Sequence, residues 1–317
     1  RGEDGGGGRA RGTAALVVDL DGPCRCVSER GGEVIDSYVR VRVEQLAVVA
    51  CLKLCSHRLQ VVADYEQRAT GRHGGPADWA ALARVKAERT IPVIGNGGVR
   101  SGADVFRMMA ETGVDGVMII APYYVRPNQQ NLFDYFAAVA RSVPGTPVIL
   151  YNIPGRAAVN VEPETIGRLR EACPNVVGVK QATKDLDDVS YTLVHAGRDF
   201  AVYCGAETLT YPMLSLGGAG HISATGVVAP RQIARLYELA AAGEWDAARD
   251  LHFEMLELND MLFVEVNPVP LKTALSMMGL CEARWRLPLG PMLPENEARL
   301  RRTLARYGIV EREGAAG

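Results

Sequence analysis

The chain has 317 residues, of which 48% are hydrophobic and 23% are charged, and its formal net charge at pH 7 is −2. This size and composition suit one large α/β domain or two smaller ones, and the balanced charge gives no basis for binding nucleic acid or an anionic membrane. No apolar run approaches the length of a membrane span and no basic-then-apolar leader is present, so we expect a soluble cytoplasmic protein.

The first third of the chain is irregular. Residues 1–12 are rich in Gly and Arg, a composition typical of a disordered segment. Apolar patterns predict strands over 14–20 and 34–43. The seven cysteines are scattered. The pairs Cys24/Cys26 and Cys51/Cys55 match no strong zinc spacing, so we expect free thiols and no metal site.

From residue 77 onward, helix and strand patterns alternate. The predicted strands are 91–94, 116–120, 148–151, 176–180, 201–204 and 220–223, and the predicted helices are 77–88, 103–112, 129–141, 163–172, 187–195 and 208–216. This alternation favours an α/β fold, a (β/α)8 TIM barrel over 13–229 whose first two strands, from 13–90, are atypical. Four further helical patterns, at 231–242, 245–262, 270–278 and 295–307, predict a C-terminal helical region over 230–317.

Three consecutive predicted strands end in reactive side chains. The strand at 116–120 leads to Tyr123 and Tyr124, the next ends in Tyr151, and the third ends in Lys180. Because active-site residues gather at the carboxyl ends of parallel barrel strands, we expect these residues to meet. Burial there favours the neutral lysine amine, which can attack a ketone and form a Schiff base. A lone lysine after a strand is more often a solvated surface residue, and its neighbours reverse that expectation.

From about Gly113 to Ile309 the sequence resembles the dihydrodipicolinate synthase / N-acetylneuraminate lyase family of pyruvate-dependent class I aldolases. The matching segments are APYYVRPNQ (121–129), YNIPGR (151–156), VVGVKQATKDL (176–186), GAE (205–207), GHISATGVVAP (220–230), NPVPLKTAL (267–275) and RLPL (286–289). The resemblance implies that Lys180 condenses with pyruvate, that Tyr151 relays protons, and that Tyr124 crosses a dimer interface into the neighbouring site. It implies no cofactor, since the lysine nitrogen serves as the electron sink.

The resemblance also implies substrate-binding residues. Arg156 would clamp the carboxylate of an acidic aldehyde with its planar fork, and its place in Tyr-Asn-x-Pro-x-Arg favours dihydrodipicolinate synthases over sialic acid lyases. Gly205 and Ile222 match positions that line the pyruvate pocket through backbone groups. Asn267 matches a helix entry, so we interpret it as structural.

Two regions depart from the family pattern. The family carries Gly-Thr-Thr-Gly-Glu after its second strand, where the threonines bind the pyruvate carboxylate and relay protons. Residues 1–112 hold no such motif, and Ala69-Thr70-Gly71 is the nearest approach. His221 and Val227 stand where the family usually has an apolar residue and Asn. We therefore predict that the chain is a poor catalyst.

Residues 74–118 resemble instead the C-terminal barrel segment of tRNA-dihydrouridine synthases. In that family the turn that matches Gly95-Asn96-Gly97-Gly98 helps to cradle the phosphate of FMN. The second phosphate contact, the His-x-Arg element and the catalytic cysteine of that family are missing from this chain. We therefore interpret the segment as a structural βαβ unit that binds no flavin.

The function that the aldolase resemblance implies is a lyase of the dihydrodipicolinate synthase type, which condenses pyruvate with L-aspartate-4-semialdehyde in lysine biosynthesis. The alternatives are another pyruvate-dependent aldolase acting on sialic acid or a 2-keto-3-deoxy sugar acid, a catalytically impaired fusion, and a flavin-dependent tRNA-dihydrouridine synthase. We expect small-molecule substrates and a homo-oligomer, either a dimer or a tetramer.

Overall fold

The computed structural model describes residues 101–285 and 287–311 continuously, together with the earlier segments 15–16, 25–27, 35–36, 50–54, 57–63, 83, 86–87, 93–96 and 99. The predicted disorder at 1–12, Thr70, and most of the predicted helix at 77–88 lie outside these residues. So does the Gly97-Gly98 half of the glycine-rich turn.

A small antiparallel sheet precedes the main one. Its strands are β1 (Ala15–Leu16), β2 (Arg25–Val27) and β3 (Ile35–Asp36), hydrogen-bonded in the order β1-β2-β3. The described parts of the strands predicted over 14–20 and 34–43 therefore belong to this sheet and not to the barrel.

Eight further strands hydrogen-bond in a closed order. They are β4 (Ala50–Leu54), β5 (His57–Ala63), β6 (Val93–Asn96), β7 (Gly116–Ile120), β8 (Val148–Asn152), β9 (Val176–Gln181), β10 (Ala201–Cys204) and β11 (Gly220–His221). All neighbouring pairs from β5 to β11 are parallel. The predicted α/β fold with a curled sheet of parallel strands is confirmed.

β4 breaks the regular pattern, since it runs antiparallel to both β5 and β11. Only residues 55 and 56 separate β4 from β5. A connection this short can close an antiparallel hairpin, whereas a parallel pair needs a crossover of about a dozen residues or more. β4 and β5 are thus joined without a helix between them, and neither strand was predicted from the sequence.

The helices follow the strands closely. They are α1 (Gly102–Thr112), α2 (Gln129–Ser142), α3 (Pro154–Ala157), α4 (Pro163–Ala172), α5 (Leu186–Ala196), α6 (Thr210–Ser215), α7 (Thr225–Val228), α8 (Pro230–Ala241), α9 (Trp245–Met261), α10 (Val269–Met277) and α11 (Pro294–Arg306). The side chain of Ser101 caps the start of α1, and Gly113, with φ 67°, ends it in the left-handed conformation. The short helices α3 and α7 have too few residues to show a helical period, and the sequence did not indicate them.

The side chains of the strands divide between two cores. Met118, Ile149, Tyr151 and Tyr203 belong to a cluster that also includes Ile222. The residues that alternate with them pack in a separate and larger cluster with α1, α2, α4 and α5, and include Val117, Ile119, Leu150 and Val179. Successive strand residues point to opposite faces, so Lys180 faces the same side as Tyr151.

Helices α8 to α11 follow the last strand. A third cluster of buried residues joins α9, α10 and α11 to α7, and includes Val228, Met255, Leu258, Leu271 and Leu300. Within the part of the chain that the structure describes, no helix is both long enough and apolar enough to cross a membrane.

Candidate active site

Lys180 and Tyr151 lie directly opposite each other on neighbouring strands, β9 and β8. The Nζ atom of Lys180 is 4.3 Å from the centroid of the Tyr151 ring, and the two residues are 8% and 4% exposed. On its other side Lys180 is paired with Tyr203, which is fully buried. Lys180 therefore lies between two aromatic residues on the neighbouring strands, near the carboxyl end of β9.

Gly205 makes room for the lysine side chain. A Cβ atom at this position would lie 3.0 Å from Cε and 3.1 Å from Cγ of Lys180, and 2.9 Å from Cβ of Ala182. The backbone N–H of Gly205 donates to the carbonyl of Gln181, 2.8 Å away, which fixes the glycine beside the end of β9. No larger residue fits here without displacing the lysine or its neighbours.

Ile222 lies just after β11 and is 2% exposed. Its N–H donates to the carbonyl of Cys204 at 2.8 Å, and its side chain shares a core cluster with Tyr151 and Tyr203. The structure thus brings four of the predicted site residues into one region: Lys180, Tyr151, Gly205 and Ile222.

Tyr124 is placed differently. It lies in the loop after β7, its φ is 74°, and it is 90% exposed, while Tyr123 is 40% exposed. A ring this exposed does not share the buried environment of Lys180 within one chain. A non-glycine residue in the left-handed region carries a conformational cost, which marks this loop as constrained.

Arg156 is exposed and lies in the short helix α3. Its Nη2 donates to the backbone carbonyl of Asn267, 3.0 Å away, so the arginine connects the segment after β8 to the segment that enters α10. The side-chain oxygen of Asn267 is buried, with no hydrogen-bond partner in the described part of the chain.

A buried amide pair fixes the loop that carries Arg156. Asn152 and Gln181 follow the Tyr151–Lys180 pair on the same two strands, and Asn152 Nδ2 donates to Gln181 Oε1 at 3.0 Å. Asn152 also donates to Asn160 Oδ1 at 2.7 Å and accepts from the N–H of Val161 at 3.1 Å. Asn152 therefore bridges both ends of the segment from 153 to 160.

Two ionisable groups near the site have shifted pKa values. Burial raises the pKa of the Cys204 thiol to about 12, so the thiol stays protonated and unreactive at neutral pH. Burial alone would also raise the pKa of Glu207, but His221 and hydrogen bonds from Ser223 and the Ala224 backbone outweigh it and hold that pKa below its ordinary value.

Glu207 had no role predicted from the sequence. The sequence could have indicated a role, because Glu207 ends the GAE segment that matches the family and stands two positions after Gly205. The amide pair Asn152–Gln181 was also missed, although both residues lie inside matching segments.

A lysine held inside a sheet of parallel strands, near its carboxyl end and against a tyrosine, is the arrangement of a Schiff-base-forming lyase of the class I aldolase type. The comparisons with known proteins agree with this class. The chain belongs to the Dihydrodipicolinate synthetase family, whose profile matches residues 78–307.

Individual relatives cover most of the chain. The 4-hydroxy-tetrahydrodipicolinate synthase of Thermus thermophilus is 52% identical over 229 residues, which are 71% of this chain and 77% of that protein. The protein of the same name from Nitratidesulfovibrio vulgaris is 40% identical over 247 residues, covering 77% of this chain and 84% of that one.

Solved structures of dihydrodipicolinate synthases also match this chain. The crystal structure of dihydrodipicolinate synthase from Aquifex aeolicus matches with a TM-score of 0.69 and 36% identity, covering 74% of this chain and 80% of that one. The enzyme from Cyanidioschyzon merolae with lysine bound matches with a TM-score of 0.70 and 33% identity over 74% and 80%.

The predicted aldolase family is confirmed, and its match begins at residue 78, earlier than the start near Gly113 that the motifs indicated. The resemblance of 74–118 to tRNA-dihydrouridine synthases stays a prediction.

Proposed function

We propose that this chain condenses pyruvate with L-aspartate-4-semialdehyde through a Schiff base on Lys180. The observation that carries the proposal is the burial of Lys180 with its Nζ 4.3 Å from the Tyr151 ring centroid. The 52% identity to a 4-hydroxy-tetrahydrodipicolinate synthase supports the choice of substrates.

The chemistry follows from an amine held in this enclosure. The Lys180 nitrogen attacks the keto carbon of pyruvate, and loss of water leaves an imine. A methyl proton then departs, the electron pair moves toward the imine nitrogen, and the resulting enamine carbon attacks the aldehyde. Tyr151 is the proposed proton relay. Since a tyrosine hydroxyl ordinarily ionises near pH 10, it requires a hydrogen-bonded partner to move protons at neutral pH.

Substrate binding is assigned to three further residues. Gly205 and Ile222 present backbone groups to pyruvate, and Arg156 binds the carboxylate of the aldehyde. The bond from Arg156 to the Asn267 carbonyl holds the guanidinium by one nitrogen and leaves other donors of the fork for a carboxylate.

Tyr124 is assigned to a neighbouring subunit's site in a homo-oligomer, a dimer or a tetramer. Its 90% exposure supports a role outside its own chain. A monomeric dihydrodipicolinate synthase variant is among the similar solved structures, with 31% identity and a TM-score of 0.71, so the oligomeric state of this chain needs its own measurement.

The proposal extends to the organisation of the chain. Of the barrel expected over 13–229, atypical over 13–112 and aldolase-like over 113–229, the strands would begin at β4 (Ala50–Leu54), and 230–317 would form the helical extension. A cytoplasmic location suits the proposed biosynthetic role. Because 1–112 lack Gly-Thr-Thr-Gly-Glu, weak turnover is part of the proposal.

Borohydride trapping tests the assignment of Lys180. The protein is incubated with pyruvate, reduced with borohydride and digested, and the adduct is mapped by mass spectrometry. We expect the adduct on Lys180, its loss in Lys180→Ala, and its retention in the matched control Lys184→Ala. An adduct on Lys184 or Lys272, with Lys180 unmodified, would refute the assignment.

The same preparation separates the alternatives. A flavin absorption spectrum would favour the tRNA-dihydrouridine synthase activity. Turnover of sialic acid or a 2-keto-3-deoxy sugar acid, with none of aspartate semialdehyde, would favour another pyruvate-dependent aldolase.

A further inference from the structure

Glu207 holds a carboxylate inside the protein, and its side chain is 3% exposed. Oε2 accepts a hydrogen bond from Ser223 Oγ at 2.8 Å and lies 3.0 Å from His221 Nε2. Oε1 accepts from the backbone N–H groups of Ala224, at 2.6 Å, and Thr225, at 3.3 Å. Four partners thus converge on one carboxylate.

These four contacts leave the Glu207 carboxylate little capacity to bind a substrate. An ionised carboxylate offers about four lone-pair positions, and each oxygen of Glu207 already has two partners. The depressed pKa keeps the group ionised at neutral pH. The carboxylate has no free position for a substrate and acts only through the segments that it holds.

Those segments are the exits of two neighbouring strands. Glu207 follows β10, two residues after Gly205, and its partners follow or end β11 on both sides of Ile222. Gly205 lies against the side chain of Lys180, and Ile222 shares a core cluster with Tyr151. The carboxylate therefore ties together the two backbone segments that border the lysine.

A neutral amide would replace it only in part. Glutamine has one acceptor oxygen and one NH2 donor, whereas the backbone N–H groups of Ala224 and Thr225 can only donate. With its oxygen toward these two groups the amide substitutes a neutral acceptor for a charged one, and in the opposite orientation its NH2 faces two N–H donors and both contacts are lost. Bonds to a charged acceptor are also roughly twice as strong as neutral ones.

We propose that Glu207 is a positioning residue for pyruvate binding, which sets the spacing between the backbone segments of Gly205 and Ile222 around Lys180. The inference rests on the proposed role of Lys180 as the pyruvate-binding lysine.

The test compares Glu207→Gln with the wild type in pyruvate trapping by borohydride, with the adduct mapped to Lys180. Ser223→Ala is a milder second variant, because it removes one of the four partners and keeps the charge. Glu171→Gln is the matched control, since it makes the same charge change at an exposed position. Urea unfolding is measured for all of them.

A positioning role and a merely structural role give different results. Loss of folded protein lowers the maximal trapped fraction and leaves the half-saturating pyruvate concentration unchanged. We expect that concentration to rise about 10-fold or more in Glu207→Gln, the scale of one lost hydrogen bond to a charged group. Ser223→Ala should rise less, and Glu171→Gln should match the wild type.

Half-saturating concentrations equal to that of Glu171→Gln in both variants would overturn the inference and leave the role of Lys180 intact. If Glu207→Gln does not fold, Ser223→Ala alone decides by the same criterion. A wild-type chain that gives no adduct on Lys180 would overturn the lysine assignment and this inference together.

Discussion

Replacing Gly205 with alanine should impair the reaction of Lys180 with pyruvate. The new Cβ would meet Lys180 Cε at 3.0 Å and Ala182 Cβ at 2.9 Å, whereas carbon atoms in favourable contact lie about 3.5–4.0 Å apart. Overpacking of this kind typically costs about 1–3 kcal/mol. If the lysine bears that strain as it reaches the reactive position, the adduct should form about 5- to 150-fold more slowly, at about 1.4 kcal/mol per factor of ten.

The assay is the initial rate of adduct formation with pyruvate and borohydride, followed by intact-mass spectrometry. Gly145→Ala is the control, because a Cβ there would meet no atom within 4 Å and the residue is exposed. Urea unfolding midpoints show whether a lower rate reflects lost structure. A Gly205→Ala protein that reacts at the wild-type rate would refute the reasoning, since the lysine would then have space to move aside.

Four more outcomes are expected. Arg156→Ala should lower kcat/KM for aspartate semialdehyde about 30- to 1,000-fold, the loss of a contact worth about 2–4 kcal/mol, while pyruvate trapping survives; equal kcat/KM values would remove the arginine from substrate binding. Tyr151→Phe should lower turnover about 10²–10⁴-fold, as expected for a lost proton relay, with the fold retained by circular dichroism; wild-type turnover would exclude the relay. A chimera that replaces 1–112 with a family-typical segment carrying Gly-Thr-Thr-Gly-Glu should exceed this chain in turnover; equal rates would show that the motif is not needed here. Since the pKa of Glu207 is depressed on folding, its stabilising contribution is present above its ordinary value of 4.5 and declines as pH falls below it, so the urea midpoints of the wild type and Glu207→Gln should converge in acid; a difference independent of pH would contradict this.

Much of the fold from Ser101 onward could be predicted because its signals are local. The strands at 116–120, 148–152 and 176–181 are apolar runs, and the helices α2 and α4 between them show helical periodicity. The meeting of Tyr151 and Lys180 followed from one rule, that parallel strands end at the same edge. Their chemical roles remain predictions.

Neither β4 nor β5 was predicted from the sequence, and the direction of β4 could not have been predicted, because an apolar run reads the same for a parallel and an antiparallel buried strand. The contacts of Glu207 were hidden for a different reason. Its partners lie 14 to 18 positions further along the chain, and such side-chain bonds leave no periodic pattern. The role of Tyr124 could not be tested for a third reason, because the sequence of one chain does not show which residues of a neighbouring subunit it would meet.

The hydrogen bond from Arg156 to the Asn267 carbonyl spans 111 positions and connects the proposed specificity arginine to the entrance of α10. If Arg156 binds the aldehyde as proposed, substitutions in the segment between α9 and α10 would change substrate preference from outside the lysine pocket. Random mutagenesis that seeks new aldehyde acceptors should include residues 262–268 as well as the pocket lining. We expect variants at these positions to change which aldehyde the protein accepts and to leave the formation of the pyruvate adduct on Lys180 unchanged.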